Sequence, residues 1–248
     1  MPVSRPTGRS VASPGPSREH PTSRTDPAEQ SRSLRERILD AAFHAFATRG
    51  YRDTAVDDIA GAAETSKGGI YFHFPTKEAI FRELMETTAD KLVARVEKAV
   101  ALETEPVARA EAAIHTVLTT FAGHRTMARL LFLDTVGAGR VFQAETNALH
   151  ARFATLIQGY LDDAVAAGAV PPLDTRITSI AWFGAINEVV ARWLLAEDAA
   201  GLEEAYPALR ATLLRSAGVP EARIGEVPLP ARGWSFPEVP KVEKGARR

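Results

Sequence analysis

Residues 65–78 read TSKGGIYFHFPTKE, a run that sets hydroxyls, an amine, a phenol and an imidazole beside two adjacent glycines. Thr65, Ser66 and Lys67 stand where a short helix begins, so two hydroxyls, an ammonium group and unpaired backbone N–H groups meet at one helix end. Such groups bind phosphates and base edges. Gly68 and Gly69 each cost a helix about 1 kcal/mol relative to alanine. They make sense where the helix must approach a duplex, or a partner helix, more closely than a Cβ allows. Ile70 and Phe74, four apart, are placed to pack inward together, while Tyr71 and His73 turn toward phosphates. Pro75 closes the helix, because the residue before a proline is pushed out of the α region. Lys77 follows at the start of the next helix, where cation, free N–H groups and helix dipole all favour a phosphate.

Other chemistry finds less support in the sequence. The absence of cysteine excludes disulfides, thiolate catalysis and sulfur metal sites. There is no HExxH and no pair of histidines four apart for a metal, and no serine in a GxSxG elbow. Gly137-Ala138-Gly139 lacks both the third glycine of a dinucleotide fingerprint and a preceding strand, so it reads as a loop between helices. No cofactor is expected, and the chain is not read as an enzyme. A formal charge of -1 excludes a polycation that coats DNA or anionic membranes, so any nucleic-acid surface is local. Even there the bias is small: from Ser31 to Lys77 the net charge is +1. By spacing alone the same residues also fit an ordinary small helical bundle with an aromatic core.

The elements that position these residues are helical almost everywhere, and strand-like alternation is nowhere sustained, so the fold class is all-α. Residues 1–30 are rich in Pro, Ser, Thr and Arg with almost no large apolar side chain, the composition of a disordered arm. Residues 219–248 repeat that character as a Pro-rich, largely disordered tail, although Trp234 and Phe236 offer it a means of docking. Between the tails, a first helix over about 34–48 stops at Gly50, and Thr54 is placed to cap a short second helix. The quoted run supplies the third, Thr76-Lys77-Glu78 starts a long fourth, and further helices are expected at about 107–122, 124–135, 140–168, 174–199 and 202–217. Two short helices joined by a tight turn behind a supporting helix form the layout of a helix-turn-helix, whose second helix enters the major groove. With no apolar signal segment and no run of about 18 apolar residues, a soluble cytoplasmic protein without a membrane partner is expected.

Residues 35–81, RERILDAAFHAFATRGYRDTAVDDIAGAAETSKGGIYFHFPTKEAIF, closely resemble the DNA-binding domain of the TetR family of bacterial transcriptional regulators. ILDAA, FATRGY, VDDIA, SKGGIYFHF and PTKEAIF fall in the family's order and spacing. The resemblance implies a homodimer with a three-helix DNA-binding domain over 31–77 and an effector-binding and dimerisation domain over 78–218. It also implies a double-stranded DNA operator, palindromic for a dimer, and a role as repressor. The DNA-facing positions it carries over are Thr54, Thr65, Ser66, Lys67, Gly68, Gly69, Tyr71, His73 and Lys77. Two residues depart from the pattern. Glu64 stands at the turn where glycine is common, which implies an unusual backbone conformation or a carboxylate near phosphates, and Ala55 replaces a second hydroxyl.

The C-terminal half must then supply a dimer interface and a pocket. The helix at 174–199 is apolar on more than one face, which buries it on several sides. With the helix at 202–217 it reads as half of a four-helix dimer interface, though a central core helix in a monomer fits the same pattern. A small, mostly apolar or amphipathic effector is expected, held by His115, Phe121, Met127, Leu131, Phe153, Trp182 and Asn187. His124, Arg125 and His150 are further polar candidates, and for each residue core packing or solvation is the plainer role. Rival readings are a small-molecule-binding or enzymatic helical protein without DNA affinity, and an activator. The arm, with Arg5, Arg9, Arg18 and Arg24, is either a passive tail or a minor-groove follower.

Overall fold

The computed structural model describes residues 27–134, 142–196 and 201–227 and is helical throughout these, with no strand among them. Helix α1 (Pro27–Asp53) is broken at Gly50, whose φ of 83° lies outside the helical region and ends the regular turn where the glycine stop was expected. Its start lies further back than composition suggests: the helix already runs from Pro27, inside the segment read as an arm. The rest of that segment, Arg5, Arg9, Arg18 and Arg24 included, falls outside the described residues.

α2 (Val56–Ala62) and α3 (Lys67–His73) are about two turns each, too short to persist alone. They are held by burial of Ile59, Ala60 and Ala63 from the first and Ile70 and Phe74 from the second against Ile38, Ala42 and Phe46 of α1. The inward pairing of Ile70 and Phe74 is thus present. α4 (Lys77–Val100) opens on Thr76, whose Oγ1 accepts from the Ala79 N–H at 3.1 Å. Its buried residues divide the molecule's two cores between them. Ile80, Phe81, Leu84 and Met85 belong to the core of the N-terminal head, and Leu92, Val96 and Val100 to that of the C-terminal half.

Beyond it lie α5 (Pro106–Gly123), capped by Glu105, and α6 (Arg125–Arg129), which widens into a π-helical turn over Leu130–Asp134. α7 (Gln143–Ala166) and α8 (Thr175–Leu195, capped by Asp174) pack extensively on each other. A 3₁₀ turn (Leu202–Ala205) leads to α9 (Tyr206–Ser216), and α10 (Glu221–Ile224) follows. α10 lies inside the stretch read as a disordered tail. Val219 and Ile224 are buried in the core of the C-terminal half, and Arg210 of α9 donates to the Ile224 carbonyl at 2.9 Å while pairing with Glu111 of α5. Two apolar residues sufficed to dock a segment whose average composition is that of a loop. Trp234 and Phe236 fall outside the described residues.

The two halves are not separate bodies. Leu130 of the π-helical turn and Phe142, just ahead of α7, are fully buried in the head's core. The Phe142 ring lies 4.8 Å from that of Phe81 and 5.0 Å from that of Tyr51. Arg82 of α4 also donates twice to Glu145 of α7, at 2.9 and 2.8 Å, and Arg152 pairs with Asp90 at 2.6 Å.

Candidate nucleic-acid interface and ligand cavity

Most of the residues expected to face DNA lie on α3 and the turn before it. Ser66 caps the helix, its Oγ accepting from the Gly69 N–H at 3.1 Å. Glu64 occupies the turn between α2 and α3 with φ of 52°, the one non-glycine residue at positive φ among those described. The unusual backbone expected at this position is therefore present, and its carboxylate is exposed. The turn is braced by Arg37, whose Nε and Nη2 donate to the Ala63 carbonyl at 3.3 and 3.1 Å, and the start of α2 is tied to α1 by the Arg49–Asp58 ion pair.

Of the expected DNA-facing residues, Ser66, Lys67, Gly68 and Tyr71 lie on the exposed face of the turn and α3, and Thr65, Gly69 and His73 are half-buried beside it. Lys67 is held by Asp57 at 2.9 Å, a solvent-exposed pair. The glycines differ. A Cβ on Gly69 would overlap Thr65 Oγ1 and force that side chain to rotate, whereas at Gly68 the nearest atom would be Ser66 Oγ at 3.7 Å, an ordinary contact.

Two expected DNA contacts point elsewhere. Thr54 is buried at 1% exposure and its hydroxyl lies within hydrogen-bond distance of the Gly50 and Ala45 carbonyls, 2.8 and 3.1 Å away. It ties the end of α1 to the start of α2, and the N-cap position falls to Ala55, whose N–H is met by Asp58 at 3.4 Å. Lys77 Nζ donates to the carbonyls of Tyr51 and Thr54 at 2.8 and 2.9 Å and lies 4.4 Å from the centre of the Tyr51 ring. Carbonyls freed where α1 breaks at Gly50 claim this ammonium group. Beneath it the Tyr51 hydroxyl donates to Glu78 at 2.7 Å. Burial, and then the adjacent carboxylate, push the phenol's pKa well up, and the hydrogen bond from Tyr51 holds the Glu78 carboxyl below its ordinary value. The sequence reading passed over Phe72, 82% exposed on the same face as Gly68. Its signal was available: Phe72 is two residues from both Ile70 and Phe74, and so on the opposite side of a helix.

The second feature is a cavity of about 80 Å³ between α4, α5, α7 and α8, with a wall that exposes only apolar surface. Phe121, Phe153, Trp182 and Asn187 line it as expected. His115 does not: it is exposed and lies against Tyr206, with ring centres 4.9 Å apart. Met127 faces a separate cleft between α1, α4 and α6, and Leu131 is spent in the core behind the wall. His124 and Arg125 border the same cleft as Met127, and Arg125 also donates to the Trp193 and Leu194 carbonyls that end α8. His150 leans on Phe183, a wall residue, and burial lowers its pKa. The sequence missed the contribution of α4, where Leu92, Val93 and Val96 form one side. Phe132 closes another side, two residues after Leu130 in the head's core. No group of His, Cys, Asp or Glu able to hold a metal occurs among the described residues. Nor is any of their helices long and apolar enough to cross a membrane.

Comparison with known proteins agrees with this division. Residues 38–84 match the model for bacterial regulatory proteins of the tetR family, and residues 103–197 match a tetracyclin repressor-like C-terminal domain. The two together span more than half of the chain. The fatty acid metabolism regulator protein of Bacillus subtilis is 24% identical over 168 residues, 67% of this chain and 87% of the relative. The transcriptional repressor KstR2 of Mycobacterium tuberculosis is 39% identical over 82 residues, 33% of this chain and 41% of its own. Among solved structures, FadR from Bacillus subtilis in complex with stearoyl-CoA superposes with a TM-score of 0.67 at 23% identity, covering 72% of this chain and 96% of that one. The fatty acid degradation regulator FadR from Bacillus halodurans does so equally well, with 97% of its chain covered. The chain belongs to the TetR family of bacterial transcriptional regulators.

Proposed function

We propose that the protein is a homodimeric repressor that binds a palindromic operator and is released from it when an apolar chain enters the cavity. The observation that carries this reading is the apolar wall shared with the head: Phe132 faces the cavity, and Leu130, two residues away in the same π-helical turn, fills the head's core. A π turn is a common mark of a functional distortion in a helix. An occupant that displaces Phe132 moves Leu130 with it and tilts α3 relative to its twin in the dimer. Two recognition helices about 34–36 Å apart fit successive major grooves, so a change in that spacing weakens binding to both half-sites at once. Moving such an equilibrium from 1:99 to 99:1 requires the occupant to prefer the DNA-incompetent state by about 10⁴-fold.

The effector class follows from the wall, which offers apolar contact and no exposed polar atom. A long acyl chain suits it, and a relative of the same fold has been solved with stearoyl-CoA. The dimer interface is assigned to α8 and α7. Ile177 and Ile180 are 62% and 53% exposed on the outer face of α8, and the neighbouring face of α7 exposes small residues, Ala151, Thr155 and Gly159. This replaces the pairing of 174–199 with 202–217: α9 spends Leu209, Leu213 and Leu214 inside its own chain and shows solvent Thr212 and Arg215. A regulator of this kind works in the cytoplasm beside its DNA. The test is a mobility-shift titration on the DNA upstream of its own gene: the protein retards it, stearoyl-CoA restores free DNA, and coenzyme A alone does not. No retardation at low salt, or equal release by coenzyme A, contradicts the proposal.

A further inference from the structure

The recognition helix presents an apolar surface where polar groups are the rule. Two residues turn an α-helix through about 200°, so Phe72, two positions from both Ile70 and Phe74, points directly away from the head's core. Gly68 lies four residues earlier, one turn down on the same outward line, and is exposed. Tyr71 and Lys67 flank this line on one side and His73 on the other. The Phe72 ring rests edge-on against that of His73 at 5.2 Å and is otherwise open to solvent. Gly68 has no packing reason to be glycine, since a Cβ there meets only ordinary contact, and it weakens the helix. Apart from Ser66 Oγ, and leaving aside Gly68's chain neighbours and the helix's own backbone, no atom comes within 4 Å of a Cβ built on Gly68, so the missing side chain leaves open space one turn below the projecting ring.

We propose that Phe72 and Gly68 together form a notch that reads the C5-methyl group of a thymine in each half of the operator. Phe72 neither donates nor accepts a hydrogen bond, so it has nothing to offer a phosphate or the polar edge of a base. In the major groove the thymine methyl is the apolar mark that distinguishes one base pair from another. Gly68 lets the helix settle until ring and methyl touch. The flanking Tyr71, His73 and Lys67 are then left to fix the depth and register of the helix through the backbone.

The inference rests on DNA binding by this family and is tested separately from it. The full-length protein, its Phe72→Ala variant and its Gly68→Ala variant are each used to select from random duplex DNA. The wild type enriches sites with a thymine at one fixed position per half-site, and both variants lose preference there while keeping the rest of the site. Replacing that thymine by deoxyuridine removes only the methyl group. It weakens wild-type binding about three- to fivefold, the worth of one buried methyl, and leaves the affinity of Phe72→Ala unchanged. Gly68→Ala melts at a higher temperature than wild type, so its loss of selectivity is not unfolding. Equal sensitivity of wild type and Phe72→Ala to deoxyuridine overturns the inference. So does a uniform loss of affinity in Phe72→Ala without change of preference, which assigns the ring to the sugar-phosphate backbone. A wild type that enriches no sequence at all overturns DNA binding itself and the notch with it.

Discussion

Lys77 shows how one side chain is claimed by structure before it reaches a ligand. Its position beside a helix start reads as a phosphate site, yet the break at Gly50 frees carbonyls 23 to 26 residues earlier in sequence that take the ammonium group first. Removing a charged donor leaves those carbonyls unpaired, so Lys77→Ala is expected to lower stability by about 1–3 kcal/mol in chemical denaturation. DNA affinity measured on the folded fraction changes less than in Tyr71→Ala. Thr54 follows the same logic, its hydroxyl spent on backbone instead of DNA. Neither outcome was legible in the sequence, because both depend on contacts that a helix break creates at long range. What was legible is local. Ser66 caps α3, Ile70 and Phe74 face inward by spacing, and Glu64 takes the left-handed conformation that its neighbours impose.

At the scale of elements, Phe142, the residue just ahead of α7, ties that helix to the head. It is wholly buried among Tyr51 and Phe81, while Arg82 and Glu145 clamp the adjoining turns of α4 and α7. Truncating a buried phenylalanine costs about 3–5 kcal/mol. Phe142→Ala is therefore expected to unfold the head at lower denaturant than the regulatory half, splitting one transition into two when followed by separate probes. A single cooperative transition at reduced midpoint contradicts this coupling. Helix positions along the chain were largely readable from periodicity and breaks, as α4, α5, α7 and α8 show. The π turn at Leu130 and the docking of α10 were not. The first answers to packing between two cores, and the second rests on two buried residues, Val219 and Ile224, in a proline-rich context.

The whole molecule is a head and a regulatory half that share α4 and exchange side chains across one junction. Its four-helix cavity was half legible: Phe121, Phe153 and Trp182 follow from apolar patterning and Asn187 from its place as a polar residue beside it, but the α4 wall requires knowing which face of a long helix meets the pocket. The proposed dimer places Ile180 against its copy, so Ile180→Glu is expected to yield a monomer by sedimentation, with helical content intact and operator affinity lost. A dimer that survives this change moves the interface elsewhere. The central claim is that filling the cavity empties the operator. It is tested most directly by the anisotropy of labelled DNA during titration with stearoyl-CoA, for wild type and for a Val117→Trp variant, in which the added ring occupies the cavity that Val117 of α5 lines. The account predicts a saturable fall in anisotropy for wild type, and weak DNA binding that no longer responds to stearoyl-CoA for the variant. Tight DNA binding by Val117→Trp with release equal to wild type would contradict it.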